Sequence, residues 1–98
     1  MATFVISYHA PKDYVPGRSD DMSAWAAWFA SMGAHLVDSG HPVREATQIG
    51  DHAASDRLRG YSVITAADLD AALLLARGCP GLSDPGFGVE IGVVEEVS

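Results

Sequence analysis

Gly60 to Pro80 (GYSVITAADLDAALLLARGCP) constrains the fold of this chain more than any other stretch. Gly60 opens a β-prone run of Tyr61, Ser62, Val63 and Ile64. Thr65-Ala66-Ala67-Asp68 has the form of a capping box. In it the Thr65 hydroxyl accepts from the Asp68 amide, and the Asp68 carboxylate reaches back towards the Thr65 amide. From Asp68 to Arg77 nearly every residue is a good helix former. Arg77 sets its charge at the helix C-terminus, Gly78 is placed for a left-handed cap, and Pro80 stops the helix. A strand, a helix and a stop are predicted in one run.

The preceding chain supplies similar units. Ala2 to Tyr8 alternates, with Phe4, Ile6 and Tyr8 on one face and Thr3, Val5 and Ser7 on the other. Apolar residues on both faces predict a central strand. His9 to Asp20, with Pro11, Asp13, Pro16 and Gly17, reads as a loop. Ser19 or Asp20 is expected to cap a helix from about Asp21 to Ser31 or Met32, ended by Gly33. Trp25, Phe29 and Met32 form one apolar line on it, with Trp28 further round. Leu36-Val37 reads as a short strand before an Asp38-Ser39-Gly40 turn and a break at Pro42. Glu45 to Ile49 is a candidate hairpin strand, and Asp51 to Arg59 lacks periodicity and reads as a loop. Val89 to Val97 closes the chain as a strand, with Val89, Ile91 and Val93 on one face.

Strand, helix, one or two short strands, strand, helix, strand is the order of an α+β, ferredoxin-like βαββαβ sandwich, the split βαβ arrangement. Two helices then cover one sheet face. The other face, partly apolar, is expected to pair with a second copy, leaving a cavity between two sheets. A chain of 98 residues is read as one domain, and 48% hydrophobic against 19% charged residues is a globular composition.

A formal charge of -7, from thirteen acids and six bases, opposes binding to nucleic acid or an anionic membrane. Arg57 and Arg59 are close in sequence and read as solvated surface. Cys79, the single cysteine, excludes an intramolecular disulfide and a cysteine-based metal site. No basic leader precedes the first apolar run, and no segment nears the ~20 apolar residues of a spanning helix. The expected location is the cytoplasm. No cofactor is implied, and four histidines without ligand spacing predict no metal site.

The run from Gly60 to Pro80, with the Gly-rich loop and V-E-I after it, resembles the YCII-related (YciI-like) family. The upstream pieces A-A-W-F-A-S-M-G and H-L-V-D-S-G-H-P are similar to a common subgroup of it. The resemblance implies a dimeric α/β barrel of ferredoxin-like subunits and no single activity; one branch contains a dehydrochlorinase acting on chlorinated hydroxyquinones. The active branch pairs a histidine early in the first helix with an aspartate just before the proline after the second. Here Asp21 to Met32 holds no histidine, and Cys79 precedes Pro80. The D-G-P-F sequence of another subgroup is absent from Ile49 to Gly60.

Candidate chemistry comes from other residues. His9, at the strand end, is either a general base at the mouth of an inter-sheet cavity or a solvated histidine. Asp38 and His41, three apart round a turn, are either a proton-transfer pair or an Asx-type turn beside an unrelated imidazole. Tyr8 and Tyr61 are candidates to line a ligand cavity. The expected function is a homodimeric small-molecule-binding domain. The alternative is a cofactor-independent lyase or isomerase acting on a small acidic or aromatic compound, with His9 or Asp38/His41 moving the proton.

Overall fold

Alternation in the two central strands builds this molecule. In β1 (Ala2–Pro11), Phe4, Ile6, Tyr8 and Ala10 are buried, while the residues between them are half-exposed. In β3 (Asp56–Ala66), the buried set is Gly60, Ser62, Ile64 and Ala66. The two strands pair antiparallel, setting Phe4 opposite Ile64 and Ile6 opposite Ser62, so both buried sets share one face. Short β2 (Leu36–Asp38) extends the sheet beyond β3, and β4 (Gly88–Val93) extends it beyond β1, giving the order β2-β3-β1-β4. The computed structural model describes residues 1–15, 21–52 and 55–96.

Two helices cover the buried face, and the fold is the ferredoxin-like α+β arrangement expected. The first, α1 (Met22–Met32), buries Trp28 and Met32 against β1 and β3. Its cap is Asp21, whose Oδ1 accepts from the amides of Ser23 at 3.0 Å and Ala24 at 3.3 Å. Ser19 and Asp20, the expected caps, lie outside the described residues, as do Pro16, Gly17 and Val97. Trp28 is the most buried aromatic residue of α1, at 6% exposure, and its Nε1–H donates to the Leu75 carbonyl at 3.0 Å. The expected line of Trp25, Phe29 and Met32 is therefore turned, with Trp28 and Met32 pointing inward and Trp25 and Phe29 half-buried at the margin.

The second helix, α2 (Leu69–Ala76), begins later than the capping box predicted. Thr65 and Ala66 remain in β3, opposite Thr3 and Ala2, so Thr65 cannot cap. Asp68 does so instead, its Oδ1 accepting from the Ala71 amide at 2.8 Å. Gly78 does not adopt the left-handed cap conformation. Its glycine has another reason: a Cβ there would lie 2.9 Å from Trp28 Cδ1. Trp28 and the end of α2 fit only because position 78 has no side chain.

Both central strands run longer than periodicity indicated. His9, Ala10 and Pro11 belong to β1 and pair with Leu58, Arg57 and Asp56, residues whose polarity reads as a loop. Glu45 to Ile49 forms no strand; the β-type contact in that region is a bridge between Pro42 and Gly60. The closing strand is shorter than expected: β4 ends at Val93, and Glu95 and Glu96 lie outside the sheet. Among the described residues, no helix is long and apolar enough to cross a membrane.

Candidate functional site

The site begins at an irregularity in the central pair. Tyr8 faces Gly60 and His9 faces Leu58, so Arg59 is an extra residue without a partner across the ladder. A bulge of this kind re-aims a side chain. The Arg59 guanidinium lies 5.3 Å from the centre of the Tyr14 ring and donates from Nη2 to the Pro11 carbonyl at 3.2 Å. The turn after β2 then comes alongside. Val43 N–H donates to the Arg59 carbonyl at 2.8 Å, and Tyr61 N–H donates to the His41 carbonyl at 3.3 Å. Residues 41–43 thus run beside the bulge and form one wall of a cavity.

Gly40 permits that approach. It has φ +77°, and a Cβ there would lie 1.7 Å from the Tyr61 carbonyl oxygen. Asp38 Oδ1 accepts from the Gly40 amide at 2.8 Å, which makes Asp38 the acceptor of an Asx turn. Among the described residues, no hydrogen bond joins Asp38 to His41.

The cavity, of about 680 Å³, lies on the helix-covered side of the sheet, between α1, the 39–44 segment and the bulge. Tyr8, Trp25, Phe29 and Phe87 supply its aromatic surface, and His41 and Arg59 its polar one. Tyr8 meets Trp25 edge-on at 5.0 Å between ring centres, and Trp28 and Phe87 stand about it at 6.3 and 6.2 Å. Tyr14 closes the far side through its hydroxyl, which donates to Asp84 Oδ2 at 2.5 Å.

The Tyr8 hydroxyl is fixed by a chain of hydrogen bonds. Ser62 Oγ–H donates to the Ser39 carbonyl at 2.7 Å, so its single hydrogen is committed there. Tyr8 must then donate to Ser62 Oγ, also at 2.7 Å. Burial drives the Tyr8 phenol well above its ordinary pKa, and Cys79 adds to the rise. Tyr8 is a neutral donor held in place, not a base.

The sequence candidates therefore divide between the two sheet faces. Tyr8 and His41 line the cavity on the helix side; Tyr61, which alternates with the buried Gly60 and Ser62, borders it with its ring 6.1 Å from that of His41. His9 takes the opposite, open face, where its Nε2 lies 3.1 Å from Glu90 Oε1. Asp38 is exposed in its turn. His35 uses Nδ1–H to donate to the Thr65 carbonyl at 2.9 Å and serves the junction of α1 and β3. Among the described residues, no group of three or more His, Cys, Asp or Glu is placed to hold a metal ion.

Residues missed from the sequence are Tyr14, Phe87, Arg44 and Arg59. Arg59 reads as solvated surface but is half-buried at the bulge. No signal in the sequence marks Arg59, because the bulge is a register property of two paired strands.

Cys79 is buried, and burial pushes its thiol up to about 11, against the opposing amides of Gly81 and Leu82. At pH 8 only about one part in a thousand is then thiolate. Alkylation by iodoacetamide is expected to be slow in the folded protein and fast in urea; equal rates would contradict the burial. The folded pKa lies above the unfolded value, so the stability linked to it is complete below pH 9 and falls as pH rises towards 11. The melting temperature should drop over that window, and less so in Cys79→Ala.

No protein-family model matches the chain. No curated protein matches it either. The solved structures similar to this chain include that of 5-chloro-2-hydroxyhydroquinone dehydrochlorinase from Burkholderia phenoliruptrix AC1100 in complex with 2,5-dihydroxybenzoquinone. The likeness covers 97% of this chain and 95% of that one, with a TM-score of 0.68 and 17% sequence identity. What this chain shares with that neighbour at such an identity is the fold of the subunit.

Proposed function

We propose that this protein is a YCII-like small-molecule-binding protein that works as a homodimer joined through the open sheet face. Its ligand occupies the aromatic cavity between the sheet and α1. The observation that carries this reading is the cavity itself: about 680 Å³, walled by Trp25, Phe29 and Phe87, with the polar groups of His41 and Arg59 on one side. Sites for small organic molecules have roughly this size, about 300–1,000 Å³, and this combination of lining groups. The fold neighbour binds 2,5-dihydroxybenzoquinone, a planar ring that such a cavity would admit. With one cysteine, which is unpaired, the protein suits a reducing compartment such as the cytoplasm.

Isothermal titration with 2,5-dihydroxybenzoquinone tests the reading. One site per subunit is expected, weakened about tenfold or more by Trp25→Ala. No heat, or an affinity untouched by Trp25→Ala, would overturn it. Sedimentation equilibrium at micromolar concentration is expected to give a dimer, and a monomer would contradict the assembly.

A second reading, catalysis without a cofactor, is favoured by the His9–Glu90 pair at 3.1 Å. In a dimer joined through the open face, this pair would stand between the sheets. A carboxylate beside an imidazole orients it for proton transfer. Chloride release from 5-chloro-2-hydroxyhydroquinone is the assay. Turnover abolished by His9→Ala and not by His41→Ala would locate the chemistry between the sheets. The opposite pattern would locate it in the helix-side cavity. No turnover removes the catalytic reading and leaves the binding one.

A further inference from the structure

The basic residues of this acidic chain are not scattered. Of six, against thirteen acids, four line one pocket of about 340 Å³: Lys12, Arg44, Arg57 and Arg59, with Glu45 beside them. The sequence separates them by up to 47 positions (59 minus 12), so the fold gathers them. Lys12 comes from the turn after β1, Arg44 from the segment that runs beside the bulge, and Arg57 and Arg59 from β3. Arg44 and Arg59 also line the aromatic cavity, and so form the partition between the two spaces.

Three of these cations are not there to neutralise the protein's own acids. Among the described residues, Lys12, Arg44 and Arg59 make no ion pair. Arg59 is the telling case. It is half-buried against the Tyr14 ring, with one guanidinium hydrogen bond to a neutral carbonyl, and its Nε is buried with no hydrogen-bond partner. Holding a guanidinium partly out of water without a counter-ion costs stability. A chain this rich in carboxylates had partners to offer, yet among the described residues none ion-pairs with Arg59. An anion arriving at the partition would gain charge-assisted hydrogen bonds from a planar, weakly hydrated donor. The net negative charge of the whole molecule repels anions at long range, so a local cluster of this kind is what an anionic ligand would require.

We propose that the ligand of the aromatic cavity is an aromatic anion. Its ring lies against Trp25, Phe29 and Phe87, and its anionic oxygens meet Arg44 and Arg59 where the cavity adjoins the basic pocket. The proposal rests on the binding reading above and narrows it to one chemical class.

The test uses the full chain and two probes of nearly equal shape, 1-naphthoate and 1-naphthalenemethanol, titrated calorimetrically. Naphthoate should bind at least about tenfold more tightly than the alcohol, the preference shrinking as sodium chloride is raised. Arg59→Gln and Arg44→Gln should each weaken naphthoate binding more than binding of the alcohol, and so remove most of that preference. Equal binding of the two probes, or a preference that survives both substitutions, overturns the anion assignment while the cavity reading stands. If neither probe binds, the cavity reading falls and the assignment with it. Arg44 is exposed, so Arg44→Gln and the salt series decide the matter even if Arg59→Gln fails to fold.

Discussion

Replacing Trp28 with alanine is expected to cost about 3–5 kcal/mol of folding stability, the range for removing a large aromatic side chain from a core. The indole is buried between α1, Tyr8 and the end of α2, and its Nε1–H satisfies the Leu75 carbonyl. Truncation opens a cavity and leaves that carbonyl unpaired by side chain. Gly78, shaped to admit the ring, would then face empty space. Urea denaturation followed by circular dichroism measures the loss; a change under 1 kcal/mol would show that Trp28 does not join the helices as described. Trp25→Ala is the contrast, because Trp25 is half-buried at the cavity wall. It should cost less stability than Trp28→Ala and more binding.

Gly40→Ala is expected to cost more than about 3 kcal/mol, from two additive causes. A left-handed φ of +77° disfavours any side chain, and the new Cβ would occupy the space of the Tyr61 carbonyl oxygen. Relief requires the turn to move away from β3. That would break the Tyr61 to His41 hydrogen bond and carry His41 and Pro42 off the cavity wall. Stability and ligand binding should therefore fall together in this variant. A folded Gly40→Ala protein with unchanged urea midpoint would contradict the close approach.

The fold was legible because alternation and helical spacing are local properties. Phe4, Ile6 and Tyr8 alternate, and so do Val89, Ile91 and Val93, whatever lies beside them. Boundaries were less legible where a partner decided them. Arg57 and Leu58 belong to a strand because Ala10 and His9 pair with them, and nothing in DHAASDRLR shows that. The capping box at Thr65 failed for the same reason: the β1 ladder holds Thr65 opposite Thr3 and leaves Asp68 to begin the helix.

The candidate site was legible only in part. Tyr8 and Tyr61 reach the cavity, but Tyr8 does so on the helix face, away from the inter-sheet space proposed for it. The cavity gathers β1, α1, residues 39–44, β3 and Phe87, so no spacing in the chain encodes it. Arg59 owes its place to a bulge, a register property of two strands, and a single strand's sequence does not carry one. Cys79 marks the opposite case. The resemblance implies an aspartate in its place in the active branch, and here burial and a raised thiol pKa leave the cysteine to packing.

The central claim is that a ligand enters the subunit on the helix side of the sheet. Two-dimensional amide NMR of the intact protein titrated with 1-naphthoate tests it most directly. Shifts concentrated at Trp25, Gly40, His41, Arg59, Tyr61 and Phe87 are the predicted result. Shifts concentrated instead at Thr3, Val5, His9 and Val63, on the open face, would contradict the claim and return the site to the space between two sheets.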